Sequence, residues 1–130
     1  MPLMLTLIVE SAWAALALRE MTPEHMKALT AYAKPAIVRY DPTFCPDCEK
    51  LNPFWEMASQ HFPPATVWRG SCTEHSSVCE EMLTRSEATQ GPNMPVLEAW
   101  TGGEWVRYFG SANVESLLQW MHAVPRPLGL

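Results

Sequence analysis

Apolar and polar positions fall into blocks whose period changes along the chain. Thr22-Pro23-Glu24-His25 has the form of a helix start, with Thr22 as N-cap, Pro23 in the first turn and an acid beside it. Met26, Leu29, Tyr32 and Ala33 then recur at helical spacing, and Lys34-Pro35 ends that helix. Ala36-Ile37-Val38-Arg39-Tyr40 is a short β-prone run, followed by turn chemistry in Asp41-Pro42-Thr43. From Cys45 the period is helical again through Leu51, Phe54, Met57 and Ala58, with Pro53 inside it and expected to kink it. Residues 65–68 predict a second strand, 79–85 a short helix, 96–100 a third strand and 105–108 a fourth. Gly91-Pro92-Asn93 reads as a loop and Thr101-Gly102-Gly103-Glu104 as a hairpin turn. A last amphipathic helix starts near Asn113 and carries Val114, Leu117, Leu118 and Met121. With a weak strand at the start, the order is β, α, β, α, β, α, β, β, α. It predicts an α/β architecture whose two closing strands pair antiparallel.

Composition narrows the class. At 130 residues, 48% hydrophobic and 18% charged, the chain suits one domain with one core. Net charge is −5, and the nine Lys and Arg are scattered, so no nucleic-acid footprint is present. The six Trp are assigned mostly to packing, Trp68 and Trp100 among them. His25, His61, His75 and His122 are dispersed, and neither a phosphate-binding Gly loop nor a Ser–His arrangement occurs.

Residues 1–17 are mostly apolar around Leu3, Leu5, Leu7 and Ile8, with small residues ending at Ala14 or Ala17. They read as a secretory signal peptide, although no Lys or Arg precedes the apolar run and Glu10 interrupts it. An uncleaved anchor allowing membrane association through residues 1–18, or a first strand, are the other readings. Residues 18–123 form the predicted domain and 124–130 a tail with no KDEL-type signal.

Chemistry concentrates in Cys45-Pro46-Asp47-Cys48, which follows a strand and opens a helix. Pro53 stands five residues after the second cysteine, and Met94-Pro95 about fifty after the first. A Gly-containing hairpin, Tyr108-Phe109-Gly110 and a final helix follow. Together these features resemble the thioredoxin superfamily, and within it a single catalytic domain of the protein disulfide isomerase family. Thr22-Pro23-Glu24-His25 and Ser71-Cys72-Thr73 with Cys79-Glu80 carry the second likeness. The resemblance implies a thioredoxin fold, with a central mixed sheet flanked by helices on both faces. It implies a cis Met94–Pro95 bond that, with Phe44, meets an extended client. It also implies a second cysteine pair, Cys72 and Cys79, expected as a structural disulfide with two buried thiols as the alternative.

Thiol–disulfide exchange needs an exposed thiolate and a second thiol to resolve the mixed disulfide. Cys45 faces the helix N-terminus, where unpaired N–H groups favour a thiolate. Cys48, one turn on, is the resolving thiol. Pro46 pre-organises the first turn, whereas Asp47 opposes the thiolate and predicts a more reducing couple than a His-bearing site. No prosthetic group is implied, since the electrons reside on the cysteine pair. Zinc on the four cysteines fits their spacing poorly. The implied partners are protein thiol or disulfide clients in the endoplasmic reticulum lumen or outside the cell, with another organelle lumen or a membrane-associated site as the alternative. The competing function is a redox-inactive structural subunit of a larger assembly.

Three positions depart from the family pattern. Arg39 stands where relatives bury an acid, Arg69 where they have its lysine partner, and Ser111-Ala112 where catalytic isomerase domains carry an arginine. A buried guanidinium needs an anion. The expectation is a cross-strand Arg39–Glu98 pair with Arg69 nearby, modulating the active site.

Overall fold

The computed structural model describes residues 19–31, 34–85, 95–110 and 113–124. The leader, the ends of the expectations at Tyr32-Ala33 and Ser111-Ala112, the loop at Gly91-Pro92-Asn93, Met94 and residues 125–130 lie outside them. The elements are α1 Pro23–Ala31, β1 Ala36–Asp41, α2 Pro46–His61, β2 Val67–Ser71, α3 Ser76–Arg85, β3 Val96–Trp100, β4 Trp105–Arg107 and α4 Val114–Ala123.

The local chemistry behaves as the sequence suggests at most element ends. Thr22 caps α1, its Oγ1 accepting from the His25 N–H at 3.1 Å. Asn113 caps α4, its Oδ1 accepting from the Ser116 N–H at 2.8 Å. Gly102, with φ 100°, turns the β3–β4 hairpin, a backbone region that favours glycine. Helix α2 continues through Pro53 to His61. Strand β1 runs one residue further than its apolar pattern, taking in Asp41.

The four strands form one mixed sheet in the order β2-β1-β3-β4, with β1 and β2 parallel and the other pairs antiparallel. Before α1, Glu20 adds an isolated parallel bridge to Arg69 beside β2. Because side chains alternate along a strand, the sheet sorts its residues into two cores. Val38, Tyr40 and Trp68 pack with Met26 of α1 and Val78 and Met82 of α3. Ile37, Val67 and Leu97 pack with Phe54, Trp55 and Ala58 of α2 and Leu117 and Met121 of α4. Helices therefore cover both faces. This is the thioredoxin fold.

Candidate active site

The connection from β1 to β2 is a parallel crossover through α2, so the N-terminus of α2 lies above the C-terminal end of β1. Cys45 is the N-cap of α2 and Pro46 its first residue, a position where a missing N–H costs nothing. The Cys48 N–H donates to Cys45 Sγ and to Cys45 O, each at 3.2 Å. The sulfur thus accepts from one of the orphan amides of the helix N-terminus. Cys45 is half-buried and Cys48 buried, and the two are bridged with their Cα atoms 5.3 Å apart.

The surroundings are apolar on one side and acidic at the rim. Phe44, beside Cys45, is 66% exposed. Asp47 and Glu49 are exposed in the first turn of α2. Pro95 helps line a pocket of about 360 Å³ between α2 and α4, together with Asp47, Lys50, Leu51, Phe54 and Val114. The peptide bond preceding Pro95 includes Met94, so the cis expectation falls outside the described residues.

Arg39 lies beneath α2 and is fully buried, but it does not pair with Glu98. Its Nε and Nη2 donate to the two carboxylate oxygens of Asp41 at 2.7 and 2.8 Å, and Nη2 also donates to Asn52 Oδ1 at 2.6 Å. Its guanidinium carbon stands 5.6 Å from the Trp55 ring centroid. Register decides the partner. Val38, not Arg39, faces Glu98 across the β1–β3 ladder, and Arg39 faces Leu97. Adjacent strand positions point to opposite faces, so Arg39 belongs to the α2 face and Glu98 to the α1–α3 face.

Glu98 is buried there and accepts from Arg85 Nη2 at 2.6 Å and Arg107 Nη2 at 3.3 Å. Arg85 also donates to the Tyr40 hydroxyl at 2.9 Å and lies over the Trp105 ring. Burial, reinforced by the negative Glu98, pushes the Tyr40 phenol well above its usual range. Arg69, in register with Arg39 on the β1–β2 ladder, pairs with Glu20 at 2.8 Å instead of joining the Arg39 cluster. Thus Glu98 lies on the face of the sheet away from α2, and the partners of Arg39 are Asp41 and Asn52, neither of them singled out as a site residue in the sequence. Two spacings point to them: Asp41 follows Arg39 by one strand period, and Asn52 follows Cys48 by one helical turn.

Cys72 and Cys79 are also bridged, across the turn into α3, with Cα atoms 5.4 Å apart. The Cys72 N–H donates to the Asp41 carbonyl at 3.0 Å, which ties this bridge to the end of β1. The histidines are less dispersed than the sequence suggests, since His61 and His122 rings meet at 5.3 Å. Among the described residues, Glu20, Glu74 and His75 bring three metal-type donors within 4.8 Å of one another, with Glu20 already engaged by Arg69. No helix among the described residues is long and apolar enough to cross a membrane.

No curated protein matches the chain in sequence. In structure it is similar to the first thioredoxin domain of mouse protein disulfide-isomerase A4, at 17% identity and a TM-score of 0.64, covering 88% of this chain and 84% of that one. It is similar to the J-Trx1 fragment of ERdj5 at 18% identity and a TM-score of 0.62, covering 82% of this chain and 52% of that fragment. A reduced thioredoxin pre-protein of Schistosoma mansoni matches at 19% identity and a TM-score of 0.61, over 81% of this chain and 95% of that one. The thioredoxin family model matches residues 17–123. With a bridged CxxC at a helix N-terminus, an arrangement consistent with thiol–disulfide oxidoreductase activity, the chain belongs to the thioredoxin family.

Proposed function

We propose that the protein exchanges thiols and disulfides in client proteins in the manner of a protein disulfide isomerase domain, with Cys45 as nucleophile and Cys48 as resolving thiol. One observation carries the reading: a half-buried Cys45 capping α2 with a buried Cys48 one turn on. In the reducing direction, the Cys45 thiolate attacks a client disulfide and expels one client thiolate. Cys48 loses its proton, attacks Cys45 Sγ and releases the second client thiolate, so two electrons pass from the cysteine pair to the client. The reverse sequence oxidises a client dithiol. The exposed Phe44 and the pocket at Pro95 offer apolar contact to a client segment beside its cysteine. Two bridged cysteine pairs suit an oxidising compartment, which supports the secretory pathway as the place of action.

Insulin reduction in the presence of a thiol reductant tests the activity. Wild type should exceed background and Cys45→Ser should fall to it; equal rates would remove the reading. Equilibration with glutathione or dithiothreitol buffers gives the direction of electron flow. Asp47 beside the thiolate should place the couple more negative than the roughly −180 mV of protein disulfide isomerase.

A further inference from the structure

The exchange reaction requires a buried thiol, Cys48, to lose a proton each time it resolves a mixed disulfide. Arg39 cannot accept it, because a guanidinium keeps its proton in proteins. Glu98, the buried carboxylate among the described residues, lies on the opposite face of the sheet. Geometry singles out a third group. Cys48, Asn52 and Trp55 fall on one stripe of α2, at helical spacings of four and three. Asn52 and Trp55 both contact Arg39, so this stripe faces β1. Because α2 is the crossover between two parallel strands, it runs antiparallel to β1. Moving from Arg39 to Asp41 advances about 6.6 Å toward the end of the strand. Moving from Asn52 back to Cys48 advances about 6 Å in the same direction. The contact between Arg39 and Asn52 therefore sets a register that brings Asp41 opposite Cys48.

We infer that Asp41 is the proton acceptor for Cys48, and that Arg39 and Asn52 are positioning residues that hold it there; this rests on the exchange reaction proposed above. Arg39 engages both carboxylate oxygens, which fixes the plane of the group while leaving each oxygen a further lone pair. Asp41 is slightly open to solvent, with 16% of its side chain exposed, and so has a path for passing the proton on, whereas Arg39 has none. Its main chain is held by the β1–β2 ladder and by the Cys72 N–H. Among the described residues Arg39 is the one charged side chain paired with Asp41, and α2 contributes Asn52, which accepts from the same guanidinium. Proton transfer from Cys48 to Asp41 turns a carboxylate and a thiol into a carboxylic acid and a thiolate. The net charge of the layer is unchanged, and the buried guanidinium keeps an anion in both states. The Cys48 thiolate then forms the bond to Cys45 Sγ as the client–Cys45 bond breaks, and the departing client thiolate takes up the proton.

The reduced protein mixed with excess 5,5′-dithiobis(2-nitrobenzoate) separates the steps. Attack by Cys45 releases the first thionitrobenzoate, and resolution by Cys48 releases the second. Asp41→Asn, which keeps an acceptor for Arg39, should slow the second release at least tenfold at neutral pH and change the first less than twofold. The deficit should shrink as pH rises and the thiol ionises without help, and Asp41→Glu should recover most of the rate. Arg39→Lys keeps the charge but breaks the two-pronged grip, and should slow the second phase alone. If Asp41→Asn does not fold, Asp41→Glu and Arg39→Lys carry the test. An unchanged second phase in the variants, equal slowing of both phases, or a pH-independent deficit would overturn the inference. A wild-type protein with no first phase would instead reject the exchange reaction itself.

Discussion

Removing the charge of Glu98 gives the sharpest test of how the two faces of the sheet divide their work. Glu98 is 2% exposed and meets Arg85 and Arg107, whose side chains are 18% and 6% exposed. Glu98→Gln preserves volume and an acceptor oxygen but leaves two guanidinium groups beside a neutral amide. Breaking a buried ion pair from one side costs about 3–5 kcal/mol. Arg85 recovers part of this through water, the Trp105 ring and the half-exposed Glu81 at 3.9 Å. A loss of about 2–3 kcal/mol is therefore expected. For a chain of this size each kcal/mol moves Tm by about 4 °C, so Tm should fall by about 10 °C. Urea unfolding gives the free energy and a thermal scan the midpoint, with the exposed Glu56→Gln as the reference substitution. The same preparation should reduce insulin within twofold of wild type, because Glu98 points away from α2. A stability loss no larger than that of Glu56→Gln would refute the account of a charge held between two arginines. A tenfold loss of activity at unchanged stability would refute the separation of the faces.

Two further outcomes follow from neighbouring features. Replacing Cys72 and Cys79 together by serine opens a bridge of sequence separation 7, and the chain-entropy relation puts the cost at about 2.5 kcal/mol; denaturant unfolding under non-reducing conditions reads it, and no loss would contradict a stabilising bridge. Burial and the negative Glu98 raise the pKa of the Tyr40 phenol in the folded state well above its ordinary value of about 10, so its contribution is complete below that pH and is lost above it, where the unfolded phenol ionises and the folded one does not. Stability should thus fall by about 1.4 kcal/mol per pH unit from this residue above pH 10, and Tyr40→Phe should remove that component; an identical alkaline slope in the variant would count against it.

Local chemistry along the chain determined the elements and the reactive motif. Thr22 and Asn113 cap helices because their side chains reach amides three residues on, and Pro46 opens α2 where a proline costs little. The CxxC lies at a helix N-terminus because a β-prone run, a turn and a helical period follow one another, and each is a short-range property. The partners of the charged residues were a different matter. Arg39 required an anion from its apolar strand context, but the choice between Asp41 and Glu98 depended on one residue of register between β1 and β3, which exchanges the two faces. Asp41 read as part of a turn because Pro42 follows it, and only pairing with Ser71 on β2 makes it the last strand residue. The convergence of Arg85, Arg107 and Tyr40 on Glu98 joins residues far apart in sequence. The physical reason is range. Caps, turns and periodicities are fixed within about one turn of chain, whereas the partner of a buried charge is set by how strands align and which helix covers them.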